Sequence, residues 1–545
     1  MARLITLTLA ASLASSALSA QSPEARVDSI FIQQRGNDRA GCAVGVVRAG
    51  KPIFEKGYGM ADISQGLAIT PNSIFHVASV SKQFAGMSLV LLAQAGKVSL
   101  DDDVRKYLPD FPSYGKTITI RHFLNHTSGV RDQWNLLMSA GWRLGDDLVS
   151  EQDVVEIVNR QKELNFEPGT YWNYSNTGFT LAGLIVKKVT GQTLRQFADS
   201  ALFKPLGMTR THFHDDNLHI VPGRTRGHSF RNGEWKETNP NYSNAGATSL
   251  FTTVVDLARW QEQLHKGIVG GRSAIEMLAT PAVLANGDTL SYALGISRGS
   301  YRGAPTLAHS GGDPGYSSYL LHFTRTGSGV AVLCNSSGTT NPGMLAARTA
   351  DVFLADELGP QPAVPAQVSG AAVASHVGLY FSDSTEGRGA IAVEGDGAGW
   401  KVGNNTIRLR VSGTDGKFLL GNGPGSITLL PGGKVLYRSG NGEATTYRKV
   451  EEWKPTAAER AAMVGRYYSP ELDVTWEISA SGDSLMLKRP KYPASKLEPI
   501  FKEAFFTVNG LGFTILPVRK GGKITGITAG SGRVIKVAFD RVAAR

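Results

Sequence analysis

The chain has 545 residues, more than one ordinary hydrophobic core can organise, so two or three domains are expected. With 41% hydrophobic and 19% charged residues it reads as a folded protein, and 63 glycines favour a turn-rich, partly all-β architecture. The net charge of +11 is spread along the chain without a basic run or an aromatic-interleaved stripe, which argues against nucleic acid as a partner. The excess suits loose association with an anionic cell envelope, or simply a solvated basic surface.

Residues 1–20, "MARLITLTLAASLASSALSA", carry one cation, then an apolar stretch, then small residues. This is the layout of a signal peptide cleaved near Ala20, and it implies an exported protein, periplasmic or secreted. The apolar stretch is short for a membrane anchor and no later stretch approaches spanning length, so no stable membrane insertion is expected. Residues 41–62 alternate around "AGK" and read as a β-hairpin. From Ser79 to about Gly96 the apolar density is that of a buried helix. Helical patterns at 151–161, 177–189 and 253–267 follow, then strands at 305–312, 317–324 and 329–337. A hairpin at the start and three strands at the end suggest a sheet closed by both ends of a domain spanning 25–357.

Residues 358–375 are Pro- and Ala-rich and read as a linker. Beyond them helical periodicity gives way to short strands and glycine turns. "HVGLYFS" at 376–382 matches "MVGRYYS" at 463–469, so two small antiparallel, lipocalin-like β-barrels are expected at 376–450 and 463–545. Cys42 and Cys334 both lie in apolar strand-like runs and are read as buried free thiols, the alternative being a pair in an oxidising compartment.

Chemistry gathers at three places. In "HVASVSKQFAG" (76–86), Ser79 and Lys82 sit three apart, so on a helix they share a face and the amine can serve the hydroxyl as a base if burial lowers its pKa. Alone, the pair reads equally well as a capping serine and a solvated lysine. The others are Tyr174-Ser175-Asn176, after a glycine turn, and His309-Ser310-Gly311-Gly312, at a strand end.

In order and spacing these three motifs resemble the serine β-lactamase and DD-peptidase superfamily, in its class C-like branch with tyrosine in the second motif. "LNHTSGV" (124–130), "FEPGTYWNYSN" (166–176) and "KPLGMTRTHF" (204–213) carry the likeness further, and the three-domain layout resembles D-aminopeptidase-like serine hydrolases. The resemblance implies an α/β (α+β) β-lactamase/transpeptidase-like domain, an antiparallel sheet flanked by helices, followed by the barrels. It implies Ser79 as the acylated nucleophile and Lys82 and Tyr174 as the proton-handling pair, with the acylation base open between them. Asn176, His309, Ser310, Gly311 and Gly312 would bind substrate, with the N–H groups of Ser79 and Gly312 stabilising the oxyanion.

Two departures bear on specificity. His309 stands where the β-lactamase pattern has lysine, so a cation there would exist only part of the time. The basic hairpin 487–496, "LKRPKYPASK", is the candidate loop to lean from the last barrel toward the site, and it offers a free amine no carboxylate. His212, His214 and Asp216 approach an H-x-H-x-D-H zinc pattern that Asn217 breaks, so neither metal nor cofactor is expected. His126 reads as a structural, hydrogen-bonded histidine. The resemblance thus implies an exported serine hydrolase of small-molecule or peptide substrates: a peptidase on D-amino-acid or cell-wall-type peptides, or else a broad esterase or weak β-lactamase. From a different class, the alternative is a non-catalytic penicillin-binding or interaction module.

Overall fold

Alternation along 42–48 puts Cys42, Val44 and Val46 on one face of a strand and Ala43, Gly45 and Val47 on the other, and both faces are buried. In the computed structural model, which describes residues 21–403, 405–508 and 511–543, this strand is an interior strand of the first domain's sheet. The leader read at 1–20 lies outside the described residues. β1 (Cys42–Arg48) and β2 (Lys51–Tyr58) form the expected hairpin. They complete a six-stranded antiparallel sheet with β3 (Ser297–Tyr301), β4 (Ala304–Asp313), β5 (Tyr316–Phe323) and β6 (Ser328–Cys334), in the order β3-β4-β5-β6-β1-β2. The sheet is closed by both ends of the domain, with one more strand than sequence suggested. The edge strand "SRGSY" is mostly exposed and carries no apolar alternation to betray it.

Helices α1 (Pro23–Ile30), α2 (Lys82–Gln94), α3 (Gln133–Ser139), α4 (Thr177–Thr190), α5 (Val254–Lys266) and α6 (Pro342–Phe353) do most of the covering. Val27 of α1 and Leu345, Ala346 and Ala350 of α6 pack on the face bearing Val44, Val46 and Val332. α5 lies on the other face, where Val254 approaches Gly45. α2 is buried nearly all round, and this is why its sequence is apolar without a polar stripe.

Cys42 and Cys334 stand directly opposite each other on β1 and β6, Cα atoms 4.0 Å apart, and form a disulfide. This corrects the free-thiol reading. Each cysteine does sit in a buried strand, but the register that faces them across 292 residues is a long-range property.

Two closed eight-stranded barrels follow, with strands from Gly378–Phe381 to Ala444–Val450 and from Gly465–Ser469 to Val537–Val542. The repeated sequence builds the same device twice: the Tyr380 hydroxyl donates to the His376 carbonyl and the Tyr467 hydroxyl to the Met463 carbonyl, each at 2.7 Å. Part of the stretch 358–375 is taken up by the first barrel, since Gln367 and Ser369 bridge to its strands and Val368 and Val373 enter its core. Among the described residues no helix is long and apolar enough to cross a membrane.

Candidate active site

The segment before α2 is one turn of 3-10 helix, Ala78–Ser81, so the α-helix begins at Lys82 rather than at Ser79 as expected. Ser79 therefore stands one turn ahead of Lys82 on a strained corner: Ala78, fully buried, has φ +47°. Such a conformation costs a non-glycine residue roughly 1–2 kcal/mol and persists only where its surroundings enforce it. β4 runs alongside and explains one glycine of the third motif. A Cβ on Gly311 would come within 2.3 Å of the Val77 carbonyl and 3.1 Å of the Ser79 nitrogen, so only glycine lets the strand approach the corner. Gly312 and Ser310 border the same cleft as Ser79.

Behind the serine, Lys82 has no exposed surface. Its Nζ is 3.0 Å from Ser79 Oγ, 2.8 Å from Asn176 Oδ1 and 2.6 Å from the Ala247 carbonyl. Burial lowers its pKa to about 7, against the opposing pull of Asp313 and Asp132, while Arg533 lowers it further. Asn176 presents its oxygen to the lysine because its Nδ2 and backbone N–H both donate to Asp132 Oδ2, each at 2.7 Å. Asp132 is also the N-cap of α3, accepting from the amides of Trp134 and Asn135. The chain Asp132–Asn176–Lys82–Ser79 thus fixes orientation from a helix cap outward.

Tyr174 is brought over the pair by the turn ahead of α4. Burial raises its pKa, and the nearby Ser79 hydroxyl only partly offsets this. The phenol is therefore neutral beside an amine that is half deprotonated near pH 7, a difference the two residue types alone do not reveal. Lys82 Nζ lies 4.8 Å from the tyrosine ring. Trp172, Tyr174 and Tyr292 form an aromatic wall around His126, whose Nδ1 accepts from the Ser175 amide at 3.2 Å, a structural role as expected.

His309 also lines the cleft, but not as a cation. Its Nδ1 is 2.6 Å from the Ser310 carbonyl, which can only accept, and its Nε2 is 2.8 Å from the Tyr292 hydroxyl. Burial, reinforced by the charge of Lys82, lowers its pKa to about 3. The neutral ring donates through Nδ1 and accepts through Nε2. The expectation of a part-time charge at the third motif is corrected accordingly.

The cleft holds about 790 Å³, and both barrels reach it. Asn441 of the first touches Ser291 at the rim, the Ser291 amide donating to its carbonyl at 3.0 Å. From the second barrel the intruding segment is Ser531-Gly532-Arg533, not the basic hairpin 487–496. That hairpin docks beside the cleft: Arg489 donates to the Met138 carbonyl, the Tyr492 hydroxyl donates to the Trp142 carbonyl, and Lys491 pairs with Asp147. Two of its cations, Arg489 and Lys491, are thus spent on holding domains together. Arg533 instead lies over the Tyr174 ring, 4.6 Å from its centroid.

The structure unites Ser79, Lys82, Tyr174, Asn176, His309, Ser310, Gly311 and Gly312 around one cleft. It adds Asp132, Asp313, Tyr292 and Arg533, which sequence reasoning missed. Asp313 could have been noticed, since it directly follows the third motif, and here it bonds His76 Nε2 at 2.7 Å and the Thr248 hydroxyl. Arg533 carried no signal, being one arginine in a glycine-rich barrel loop. His212 and His214 lie 3.3 Å apart, and Arg195 beside them contacts His219 and pairs with Asp215. Among the described residues no cluster of His, Cys, Asp or Glu is arranged to hold a metal ion.

Residues 27–354, more than half of the chain, match the family model described as Beta-lactamase. Penicillin-binding protein 4* of Bacillus subtilis (strain 168) is 30% identical over 293 residues, 50% of this chain and 63% of that protein. A D-aminopeptidase of Gluconobacter oxydans (strain 621H) is 26% identical over 296 residues, 54% of this chain and 55% of the relative. The chain thus spans less than two thirds of either relative's length. An octameric penicillin-binding protein homologue from Pyrococcus abyssi shares the fold, with a TM-score of 0.55 at 20% identity, over 87% of this chain and 98% of that one. The chain belongs to the Beta-lactamase family, with penicillin-binding proteins and a D-aminopeptidase among its relatives.

Proposed function

We propose that the protein is an exported hydrolase that cleaves D-amino-acid or cell-wall-type peptides through an acyl-enzyme on Ser79. The observation that carries the reading is the environment of Lys82. Two of its three neighbours, the Asn176 Oδ1 and the Ala247 carbonyl, can only accept, so a neutral amine donates both hydrogens to them and turns its lone pair toward the Ser79 hydroxyl. With its pKa near 7 that neutral form is well populated at ordinary pH. Lys82 is therefore the base of acylation, and the protonated Tyr174 is the group that passes a proton to the departing amine or alkoxide.

Ser79 Oγ attacks the carbonyl carbon, Lys82 takes its proton, and the oxyanion forms between the Ser79 and Gly312 amides. Collapse expels the leaving group, which takes its proton from Tyr174, itself reprotonated by Lys82. Water then repeats the sequence on the ester. Export is supported by the layout of residues 1–20 and by the Cys42–Cys334 disulfide, a bond characteristic of oxidising compartments.

The test is intact mass after incubation with a penicillin and with p-nitrophenyl acetate, read alongside product release. The expected result is acyl mass or turnover in the wild type, absent in Ser79→Ala and slowed at least roughly 100-fold in Lys82→Ala. An adduct that survives Ser79→Ala, or none with either reagent, overturns the acyl-enzyme.

A further inference from the structure

The third motif leaves the cleft without the cation that its strand position would supply. Both nitrogens of His309 are committed, Nδ1 to the Ser310 carbonyl and Nε2 to the Tyr292 hydroxyl. Lys82 is sealed behind Ser79, with its amine shared among three oxygens. Among the described residues that line the cleft, the one lysine or arginine is Arg533, and it comes from the second C-terminal barrel.

Its placement is built in. The Asn135 amide donates to the Ser531 carbonyl at 2.8 Å, that of Asn173 to the Gly532 carbonyl at 3.0 Å, and that of Asn165 to the Arg533 carbonyl at 2.8 Å. The Asp132 backbone N–H adds a longer bond to the same Arg533 carbonyl, at 3.3 Å. Four groups of the catalytic domain thus hold the backbone of a three-residue loop. The side chain is exposed and stacks on Tyr174, and no carboxylate among the described residues pairs with it. Asp313, the one acidic residue lining the cleft among those described, is already bonded to His76 and Thr248. A substrate ammonium therefore meets no free carboxylate, whereas a substrate carboxylate meets a positioned guanidinium, the group best shaped to take it on two oxygens.

We infer that Arg533 receives a carboxylate on the leaving-group side of the substrate, so that this enzyme favours peptides or esters whose departing part carries a free carboxylate over those presenting a free amine. The side follows from the role proposed for Tyr174: Arg533 sits over the ring of the residue that passes a proton to the departing group, and both line the same cleft as Ser79. The inference rests on the acyl-enzyme reading of Ser79 and makes the second barrel part of the binding site.

The experiment compares two thioesters of the same acyl-D-alanyl group, one with mercaptoacetate as the leaving group and one with neutral mercaptoacetamide. The full-length exported protein should prefer the carboxylate by about ten- to a hundred-fold in kcat/KM, mostly through KM, as a charged hydrogen-bonded pair allows. In Arg533→Ala the ratio should fall to near one, in Arg533→Lys it should recover in part, and in Arg533→Glu it should invert. The ratio cancels any effect of Arg533 on Lys82, since both substrates share it. Thermal unfolding of the variants confirms that the loop remains docked. A wild type without preference, or an unchanged ratio in Arg533→Ala, overturns the role of Arg533. A wild type that turns over neither thioester and takes no acyl group on Ser79 overturns the acyl-enzyme itself.

Discussion

The two C-terminal barrels start from the same sequence device and end in different relations to the active site. Each closes eight strands, ties a tyrosine to the carbonyl four residues earlier and buries a tryptophan, Trp400 in one and Trp476 in the other. The first keeps its core to itself. The second shares one continuous apolar cluster with the catalytic domain, and the indole N–H of Trp476 donates to the Ser139 carbonyl at the end of α3. It also supplies Glu471, whose side chain is 4% exposed and pairs with the 1%-exposed Arg131 at 2.8 Å, one residue before the Asp132 that orients Asn176. Among the described residues the first barrel reaches the cleft at Asn441 alone, yet it backs the loop that the second inserts, Glu386 accepting from the Lys536 amide at 3.3 Å. A duplicated module has thus been divided into a wall of the site and a buttress behind that wall.

The largest effect expected from breaking this division is at the wall. Removing Glu471 leaves Arg131 buried without its partner, so Glu471→Ala should lose about 3–5 kcal/mol in denaturant unfolding. The double variant Arg131→Met/Glu471→Leu should recover most of it, because the pair's attraction is largely offset by desolvation. A single variant as stable as wild type would show that the second barrel is held by apolar contact alone.

At the buttress the expected effect is smaller and depends on pH. Burial raises the pKa of Glu443 to about 7, despite hydrogen bonds from Tyr171 and Ser439 that lower it. A carboxyl raised in the folded state stabilises below its ordinary pKa, and that contribution is lost as pH rises through about 7. Glu443→Gln should therefore flatten the dependence between roughly pH 4.5 and 7 and stabilise the protein above pH 7 by roughly 1–2 kcal/mol. Melting temperatures at pH 5 and pH 8 measure this, and a variant that stays as pH-dependent as wild type would assign the titration elsewhere.

What could be read from sequence follows the range of the interactions involved. The hairpin at 41–62, the helix stopping near Gly96 and the repeated barrel starts are short-range patterns, and each appears in the structure. The three motifs single out Ser79, Lys82, Tyr174 and Asn176, which the fold brings together at one cleft, because each motif is a short segment whose spacing is readable. Position across domains was not legible. Cys42 and Cys334 look alike whether paired or free until register is known, and His309 looks like a switch until its two hydrogen bonds are seen. The same limit explains the misassigned loop. Lys488, Arg489 and Lys491 stand out as a basic run, but Arg489 and Lys491 are used for docking. Arg533 is isolated in sequence and becomes prominent only once three asparagines from the other domain have positioned the backbone of its loop.

The smallest expected effect distinguishes wall from buttress most directly. Lys82 must be neutral to act as base, so kcat/KM for a neutral ester should rise with pH through about 7. Arg533 is among the charges that lower the Lys82 pKa, and removing a nearby cation makes the ammonium form easier to keep. Arg533→Ala should therefore move the acid limb to higher pH, by a fraction of a unit, since burial rather than this charge is the leading cause. Asn441→Ala, at the first barrel's rim, removes a neutral amide and should leave the limb where it is. The reading needs the two profiles to differ in this order. A limb that stays fixed in Arg533→Ala would mean that solvent screens the guanidinium from Lys82 and that the second barrel shapes the cleft without tuning its base, and a limb that moves down would rule out Lys82 as the group titrating there.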